Sequence, residues 1–177
     1  NLGELVDGTI ALIQNRTITE EELYKLIPAP DFPTGGYIMG KGGPHKFYTT
    51  GNGAVQMRAK IEHEIINHNG SPRNALVITE LPYQVNKASL SQKIAEMVND
   101  KKLEGIADLR DESDRNGIRL VIELRRDAVP NVVQNNLYKK TNLQTSFSGN
   151  FVALGSQGRQ PVRFSLKQSL LEWVDFR

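Results

Sequence analysis

The sequence predicts an α+β fold in which a long β-hairpin and a mixed or antiparallel sheet pack against helices. Three observations predict it. Residues 54–66 and 118–125 alternate apolar and polar side chains with the period of two of a strand that is wet on one face. Several other segments space their apolar residues three and four apart, the period of an amphipathic helix. The two kinds of segment interleave without the strand–helix–strand rhythm of a parallel doubly wound sheet.

Leu2, Leu5, Val6, Ile10 and Ile13 share one helical face, so the chain opens on an amphipathic helix. A short second helix follows. Thr19 can cap it, with Glu22 at capping-box spacing, and Pro28 ends it. Pro30, Pro33, Gly35 and Gly36 then mark a loop. Within residues 54–66, Val55, Met57, Ala59, Ile61 and Ile65 point one way. Gln56, Arg58, Lys60, Glu62 and Glu64 point the other, which predicts one long strand. Residues 67–72 form a turn around Asn69-Gly70, and residues 74–81 return as the second arm of the hairpin.

Pro82 stops that arm. Leu90, Ile94, Met97 and Val98 mark a helix capped by Asn86. In residues 118–125, Ile118, Leu120, Ile122 and Leu124 face in, while Arg119, Glu123 and Arg125 face out. Pro130 suits the first turn of a helix carrying Val133 and Leu137. Residues 151–164 predict a second hairpin around residues 155–158. Ser165 and Gln168 form a capping box for a last helix with Leu166, Leu170 and Val174 on its face. No internal repeat or low-complexity tract is present.

Composition narrows the function classes. The 177 residues are 38% hydrophobic and 24% charged, an ordinary globular balance. No apolar run approaches the ~18–20 residues of a membrane span, and no charged-then-apolar leader is visible. The absence of cysteine excludes a disulfide scaffold, a thiolate metal site and a cysteine nucleophile, and it fits a reducing compartment. The chain starts at Asn1 and its last helix simply stops, so a piece of a longer protein is expected. Net charge is +2. Residues 1–70 carry 6 Lys and Arg against 8 Asp and Glu, and residues 71–177 carry 16 against 12, so the basic excess lies in the second part.

Most chemical motifs fail on context. Residues 35–42, GGYIMGKG, match the start of a phosphate-binding loop, but Gly42 stands where a Ser or Thr would bind magnesium, and Tyr37-Ile38-Met39 reads as a strand inside the loop. Asp108, Asp111, Glu112 and Asp114 cluster, yet Arg110, Arg115 and Arg119 are interleaved, which predicts an Arg–carboxylate network around a turn rather than a metal site. His45, His63 and His68 lack zinc-ligand spacing. No G-x-S-x-G supports a serine hydrolase. No catalytic residue and no metal ligand is assigned.

What remains is a set of cations placed to meet phosphate. Lys87 lies in the first turn of the helix capped by Asn86, where free backbone N–H groups also favour anions. Lys41 and Lys46 flank a Gly-rich turn, and Arg58 and Lys60 share the wet face of the long strand. Lys139 and Lys140 end a helix, where the helix dipole alone favours them.

Four longer strings carry a resemblance: PAPDFPTGG at 28–36, LPYQVNK at 81–87, LRDESDRNGIRLVIELRRDA at 109–128 and NNLYKKTNLQTSF at 135–147. In order and spacing the chain resembles the A subunit of bacterial-type DNA gyrase over its whole length, and its two ends resemble cyanobacterial and plastid forms. The related topoisomerase IV subunit shares the DESD part and is less similar in the last string. The resemblance implies an ATP-dependent type IIA topoisomerase of A2B2 form that passes one duplex through another and introduces negative supercoils. It implies the tower domain of the breakage-reunion core over residues 1–164, with residues 165–177 starting the helical connection towards the exit gate.

The family's catalytic tyrosine lies in an Arg-Tyr-Thr context of a winged-helix domain expected to precede Asn1. Tyr24, Tyr37, Tyr48, Tyr83 and Tyr138 all lack that context. Magnesium and ATP belong to the B subunit, so no cofactor is expected in this chain. Implied partners are duplex DNA, the gyrase B subunit, plus a second copy of the A subunit, with no membrane, in the bacterial cytoplasm or a plastid. Lys87, Lys41, Lys46, Arg58 and Lys60 become the expected DNA-binding residues. The family commonly has Thr-Gly-Arg-Gly where this chain has Thr50-Gly51-Asn52-Gly53, so one basic residue is missing at that turn. The rival readings are a module that docks partners such as the B subunit, and an independent nucleotide-binding enzyme built on residues 35–41.

Overall fold

The computed structural model describes residues 2–68, 70–155, 158 and 160–177, without the side chain of His68. In chain order the elements are α1 (Leu2–Gln14), α2 (Glu20–Leu26), β1 (Tyr37–Ile38), α3 (Gly42–Thr50), β2 (Asn52–Arg58), β3 (Lys60–His68), β4 (Ser71–Glu80), α4 (Lys87–Asn99), β5 (Ile106–Asp111), β6 (Leu120–Leu124), α5 (Pro130–Lys140), β7 (Gln144–Asn150), β8 (Val152–Leu154), β9 (Pro161–Arg163) and α6 (Leu166–Phe176). Strands order as β1-β2-β7, as β3-β4-β6-β5 and as the β8-β9 pair. This is an α+β fold. The chain divides into two compact units, one of Asn1–Asp31, Ile38–Gln56 and Ser146–Arg177, the other of Phe32–Tyr37 and Met57–Thr145.

The second unit is built on the four-stranded antiparallel sheet. The β3–β4 arm pairs antiparallel in one register from Ile61↔Ile78 to His68↔Ser71, and the register shifts between Ile61 and Lys60, which pairs with Glu80. Its turn residue Asn69 lies outside the described residues. β6 pairs with β4 on one side and with β5 on the other. On one face Leu76, Ile78, Leu120, Ile122 and Leu124 meet Leu90 and Ile94 of α4 and Val133 and Leu137 of α5, forming the main core. Those helices start where the sequence says. Asn86 accepts the Ser89 N–H at the head of α4, and Pro130 opens α5, where a missing N–H costs nothing.

The opposite face corrects one expectation. The sequence pattern turns Glu123 to solvent, but it is only 2% exposed. An antiparallel sheet can leave one face wet, but here the face of β6 that carries Glu123 is covered by side chains of the neighbouring strands. Here Ala75, Val77 and Val121 form a small second cluster with Ile66 packed against it. Register sets Glu64 opposite Ala75, and Glu123 opposite both Ala75 and Asp108, so long charged side chains share this face with the cluster. Arg110 Nη1 donates to Glu123 Oε2 at 3.3 Å, and Arg73 Nη1 lies 4.0 Å from Oε1.

The predicted single strand over residues 54–66 is two strands in two sheets, with the break at Ala59. Val55, Met57 and Ala59 are buried as predicted, yet the pattern fades beyond them and Ile65 is 75% exposed. Alternation persists across the break, because Ala59 keeps the pleat while its N–H leaves for the Leu143 carbonyl. A period-two pattern records which way side chains point and not which sheet the backbone joins.

In the first unit Leu12, Leu23, Tyr24, Ile27, Tyr48, Leu166 and Leu170 form the core. Both predicted capping boxes, Thr19/Glu22 at α2 and Ser165/Gln168 at α6, are present. α1 departs from the sequence pattern. Its apolar stripe of Leu2, Leu5, Val6, Ile10 and Ile13 is exposed, and Gly8 and Leu12 are the buried residues. Gly8 explains the choice of face, since a Cβ there would lie 2.5 Å from Ile27 Cδ1, and only its absence lets α1 approach so closely. The Gly-rich turn expected around Lys41 and Lys46 is instead the start of α3. Pro44 sits in the first turn, where it needs no donor. The hairpin over residues 151–164 forms as β8 and β9, with Ser156 and Gln157 of its turn outside the described residues. Among the described residues no helix is long and apolar enough to cross a membrane.

Candidate functional site

Arg58 and Lys60 flank the junction at which the chain leaves β2 and enters β3, and that junction is held from several sides. Ala59 donates its N–H to the Leu143 carbonyl at 2.8 Å and accepts from the Tyr138 hydroxyl at 3.0 Å. Gly36 (φ +85°) packs against the Arg58 carbonyl so closely that a Cβ would lie 2.8 Å from it. The Gly36 N–H donates to Glu80 Oε2, and Lys60 Nζ lies 3.9 Å from Glu80 Oε1 and 3.4 Å from Glu62. Lys60 therefore carries carboxylate neighbours.

The Arg58 side chain is held as firmly as its backbone. Its guanidinium carbon stands 4.5 Å from the centre of the Tyr138 ring, and its Nε donates to Gln144 Oε1 at 2.8 Å. A cation over an aromatic face is attracted by the ring quadrupole. Tyr138 is itself anchored. Gln134 Nε2 donates to its hydroxyl at 3.2 Å, and His63 Nε2 in turn donates to Gln134 Oε1 at 2.6 Å. Burial pushes the Tyr138 phenol pKa up, so the ring stays neutral beneath the cation.

Lys87 is the first residue of α4, as predicted, but it is paired. Its Nζ lies 2.7 Å from Asp111 Oδ2 and 3.0 Å from Oδ1. Hydrogen bonds from Lys87, and then from Ser113, hold the Asp111 carboxyl down at about 2. Lys41 and Lys46 belong to the other unit. Lys41 is the N-cap of α3 and Lys46 lies within that helix, both exposed and with no ion-pair partner among the described residues. Lys41 also borders a cleft of about 470 Å³ lined by Glu21, Tyr24, Lys25, Pro28 and His45. The structure thus brings Arg58 and Lys60 together at one junction, places Lys87 in the same unit against Asp111, and keeps Lys41 and Lys46 in the other unit.

The two discounted motifs have clear structures. The strand Tyr37–Ile38 interrupts the would-be phosphate loop, although α3 does open at Gly42. The acidic cluster is an Arg–carboxylate network. Arg119 grips Glu64 with both terminal nitrogens at 2.9 and 2.7 Å and reaches Glu112 at 3.2 Å. The hydrogen bond from Arg119 lowers the Glu64 pKa. Arg110 lies 3.4 Å from both Asp108 and Glu112, and Asp114 accepts from Asn116. With these oxygens facing cations and amides the cluster does not fit a divalent ion, and among the described residues no group of three or more His, Cys, Asp or Glu is placed to hold one.

Sequence reasoning missed Tyr138, Gln144, Glu80 and Gly36 as members of the junction. The one signal available was that Tyr138 and Gln144 both lie in the string NNLYKKTNLQTSF.

All 177 residues match the family of the A subunit of DNA gyrase/topoisomerase IV. The chain is 52% identical to the DNA gyrase A subunit of Synechocystis sp. and 55% identical to the chloroplastic/mitochondrial DNA gyrase A subunit of Arabidopsis thaliana, covering all of this chain and 20% and 18% of theirs. It is also 52% identical to the DNA topoisomerase 4 A subunit of Synechocystis sp., over all of this chain and 19% of that protein. The chain therefore spans about a fifth of the length of the curated relatives it matches. With a match that runs from its first residue to its last, the chain belongs to the DNA gyrase/topoisomerase IV A-subunit family.

Proposed function

We propose that this chain is the tower part of a gyrase A subunit, which binds the duplex through phosphate contacts and serves ATP-dependent strand passage and negative supercoiling in an A2B2 enzyme. Residues 1–164 form the tower and residues 165–177 lead towards the exit gate. The observation that carries the reading is the unbroken similarity over 177 residues to proteins named as gyrase A subunits. Identity alone does not separate gyrase from topoisomerase IV, since the two Synechocystis relatives match at the same 52%. The gyrase reading draws on the Arabidopsis organellar protein at 55%, which supports a plastid setting, while the Synechocystis gyrase A subunit supports a bacterial one.

The duplex contact rests on Arg58 and Lys60 at their fixed junction, with Lys87, Lys41 and Lys46 as further cations. Such contacts position DNA without reading its bases. Catalytic tyrosine, magnesium and ATP are assigned to parts of the enzyme outside these residues. The test uses the complete A subunit in complex with its B subunit. Replacing Arg58, Lys60 or Lys87 by Ala should lower the slope of log affinity against log salt by about 0.9 for each phosphate no longer neutralised, with sequence preference unchanged. Unchanged slopes and affinities for all the substitutions would remove the duplex from this surface.

A further inference from the structure

We propose that Tyr138, together with Gln144, is a positioning residue that holds the Arg58 guanidinium ready for a DNA backbone phosphate. The proposal rests on the duplex-binding reading above and assigns a role to two residues that themselves need not touch DNA.

The geometry supports it in three steps. First, the ring and the amide use only part of the guanidinium. Tyr138 takes its face, 4.5 Å from ring centre to Cζ, and Gln144 takes Nε. The four terminal N–H groups have no hydrogen-bond partner among the described residues. Those are the groups whose fork matches two oxygens of one phosphate.

Second, the supports are themselves immobile. Tyr138 is buried and its hydroxyl is bound to the carbonyl of Ala59, the residue next to Arg58. Gln144 directly follows Leu143, whose carbonyl binds the Ala59 N–H. Ring, amide and the backbone that carries Arg58 are thus tied to one another within a few bonds. Third, Arg58 differs from the other two candidate cations of the unit, Lys60 and Lys87. Lys60 and Lys87 have carboxylates against their ammonium groups, which a phosphate would have to displace. Arg58 is held by neutral partners, which orient the charge without cancelling it. A side chain already frozen in its bound orientation loses less freedom on binding.

The experiment measures affinity for a linear duplex of mixed sequence against KCl concentration, using the full A subunit in complex with its B subunit. The variants are Arg58→Ala, Tyr138→Leu, Tyr138→Phe, Gln144→Leu and the pairs that combine Arg58→Ala with Tyr138→Leu or Gln144→Leu. Arg58→Ala is expected to lower the salt slope by about 0.9. Tyr138→Leu should weaken binding about two- to five-fold while keeping the slope, because the charge is still present but no longer aimed. Tyr138→Phe keeps the ring but loses the hydroxyl that ties it to Ala59, so it should weaken binding less than Tyr138→Leu and again leave the slope in place. Gln144→Leu should act in the same sense as Tyr138→Leu, and it leaves the core intact should the latter fail to fold. In the Arg58→Ala background neither substitution should weaken binding further.

If Tyr138→Leu or Gln144→Leu weakens binding by the same factor with and without Arg58, the positioning role is wrong while the phosphate contact stands. If Arg58→Ala changes neither slope nor affinity, the contact and the positioning role fall together.

Discussion

Ile122→Ala is the sharpest test of the architecture. Ile122 is fully buried in the middle of β6, with Leu76 beside it on β4 and Leu109 on β5. The substitution removes three carbons, each worth about 0.8 kcal/mol when buried, so the transfer loss is about 2.5 kcal/mol. A cavity penalty adds to that wherever the surroundings cannot collapse. Strands on both sides hold Ile122 in place, and helices cover its face. The total should reach about 3–4 kcal/mol, within the range seen for large-to-small core changes. In urea, at a slope of about 2 kcal/mol per molar, the midpoint of the second unit should fall by about 1.5–2 M. The assay is urea denaturation of the 177-residue chain followed by far-ultraviolet circular dichroism, with Ile65→Ala as its control. Ile65 is 75% exposed, and its loss should stay within about 0.5 kcal/mol. Equal shifts for the two variants would falsify the assignment of the inward face of the sheet.

Other outcomes follow from the pairs and turns already described. Lys87→Ala should flatten the duplex salt slope by about 0.9, whereas Asp111→Asn should tighten duplex binding at an unchanged slope, because Lys87 no longer has to leave a carboxylate to meet its phosphate; unchanged binding in both variants would exclude Lys87 from the contact. The folded-state pKa of Asp111 is depressed to about 2, so its contribution to stability is present above the ordinary carboxyl pKa and is lost as pH falls from about 4 through 2. In Lys87→Met the carboxyl midpoint followed by NMR should rise towards the usual value, and a midpoint that stays put would deny the pairing. Gly36→Ala should destabilise the second unit, since φ is +85° and the new Cβ would press on the Arg58 carbonyl at 2.8 Å; a melting temperature equal to the parent's would contradict that contact. Lys41→Ala should leave ATP affinity of the parent enzyme unchanged by calorimetry, as Gly42 supplies no hydroxyl for magnesium.

What could be read from the sequence was what lies close along the chain. The caps at Thr19, Asn86 and Ser165 were legible because each involves a partner three residues on. So was the inward side of β6, because the pleat alternates. α3 was hidden by Gly42, Gly43 and Pro44, which read as breakers although Pro is tolerated in a first turn. The change of sheet at Ala59 and the burial of Glu123 depend on strand neighbours far away in sequence, and periodicity carries no such information. The candidate site divides the same way. Arg58, Lys60 and Lys87 could be named from charge and spacing, whereas Gln144 stands 86 residues from Arg58, and Asp111 stands 24 from Lys87.

The four-stranded sheet ends in two rims, β3 and β5, whose outer backbone groups could template pairing with another chain. Both rims carry charge. β3 presents Lys60, Glu62, His63 and Glu64, and β5 presents Asp108, Arg110 and Asp111. A strand arriving at either rim would have to bury those groups beside its own side chains and give up ion pairs such as Arg119–Glu64 and Lys87–Asp111. The network that takes the place of a metal site therefore also guards this sheet against edge-to-edge aggregation, and neutralising its acids on one rim would expose a self-association hazard in a domain that is otherwise well packed.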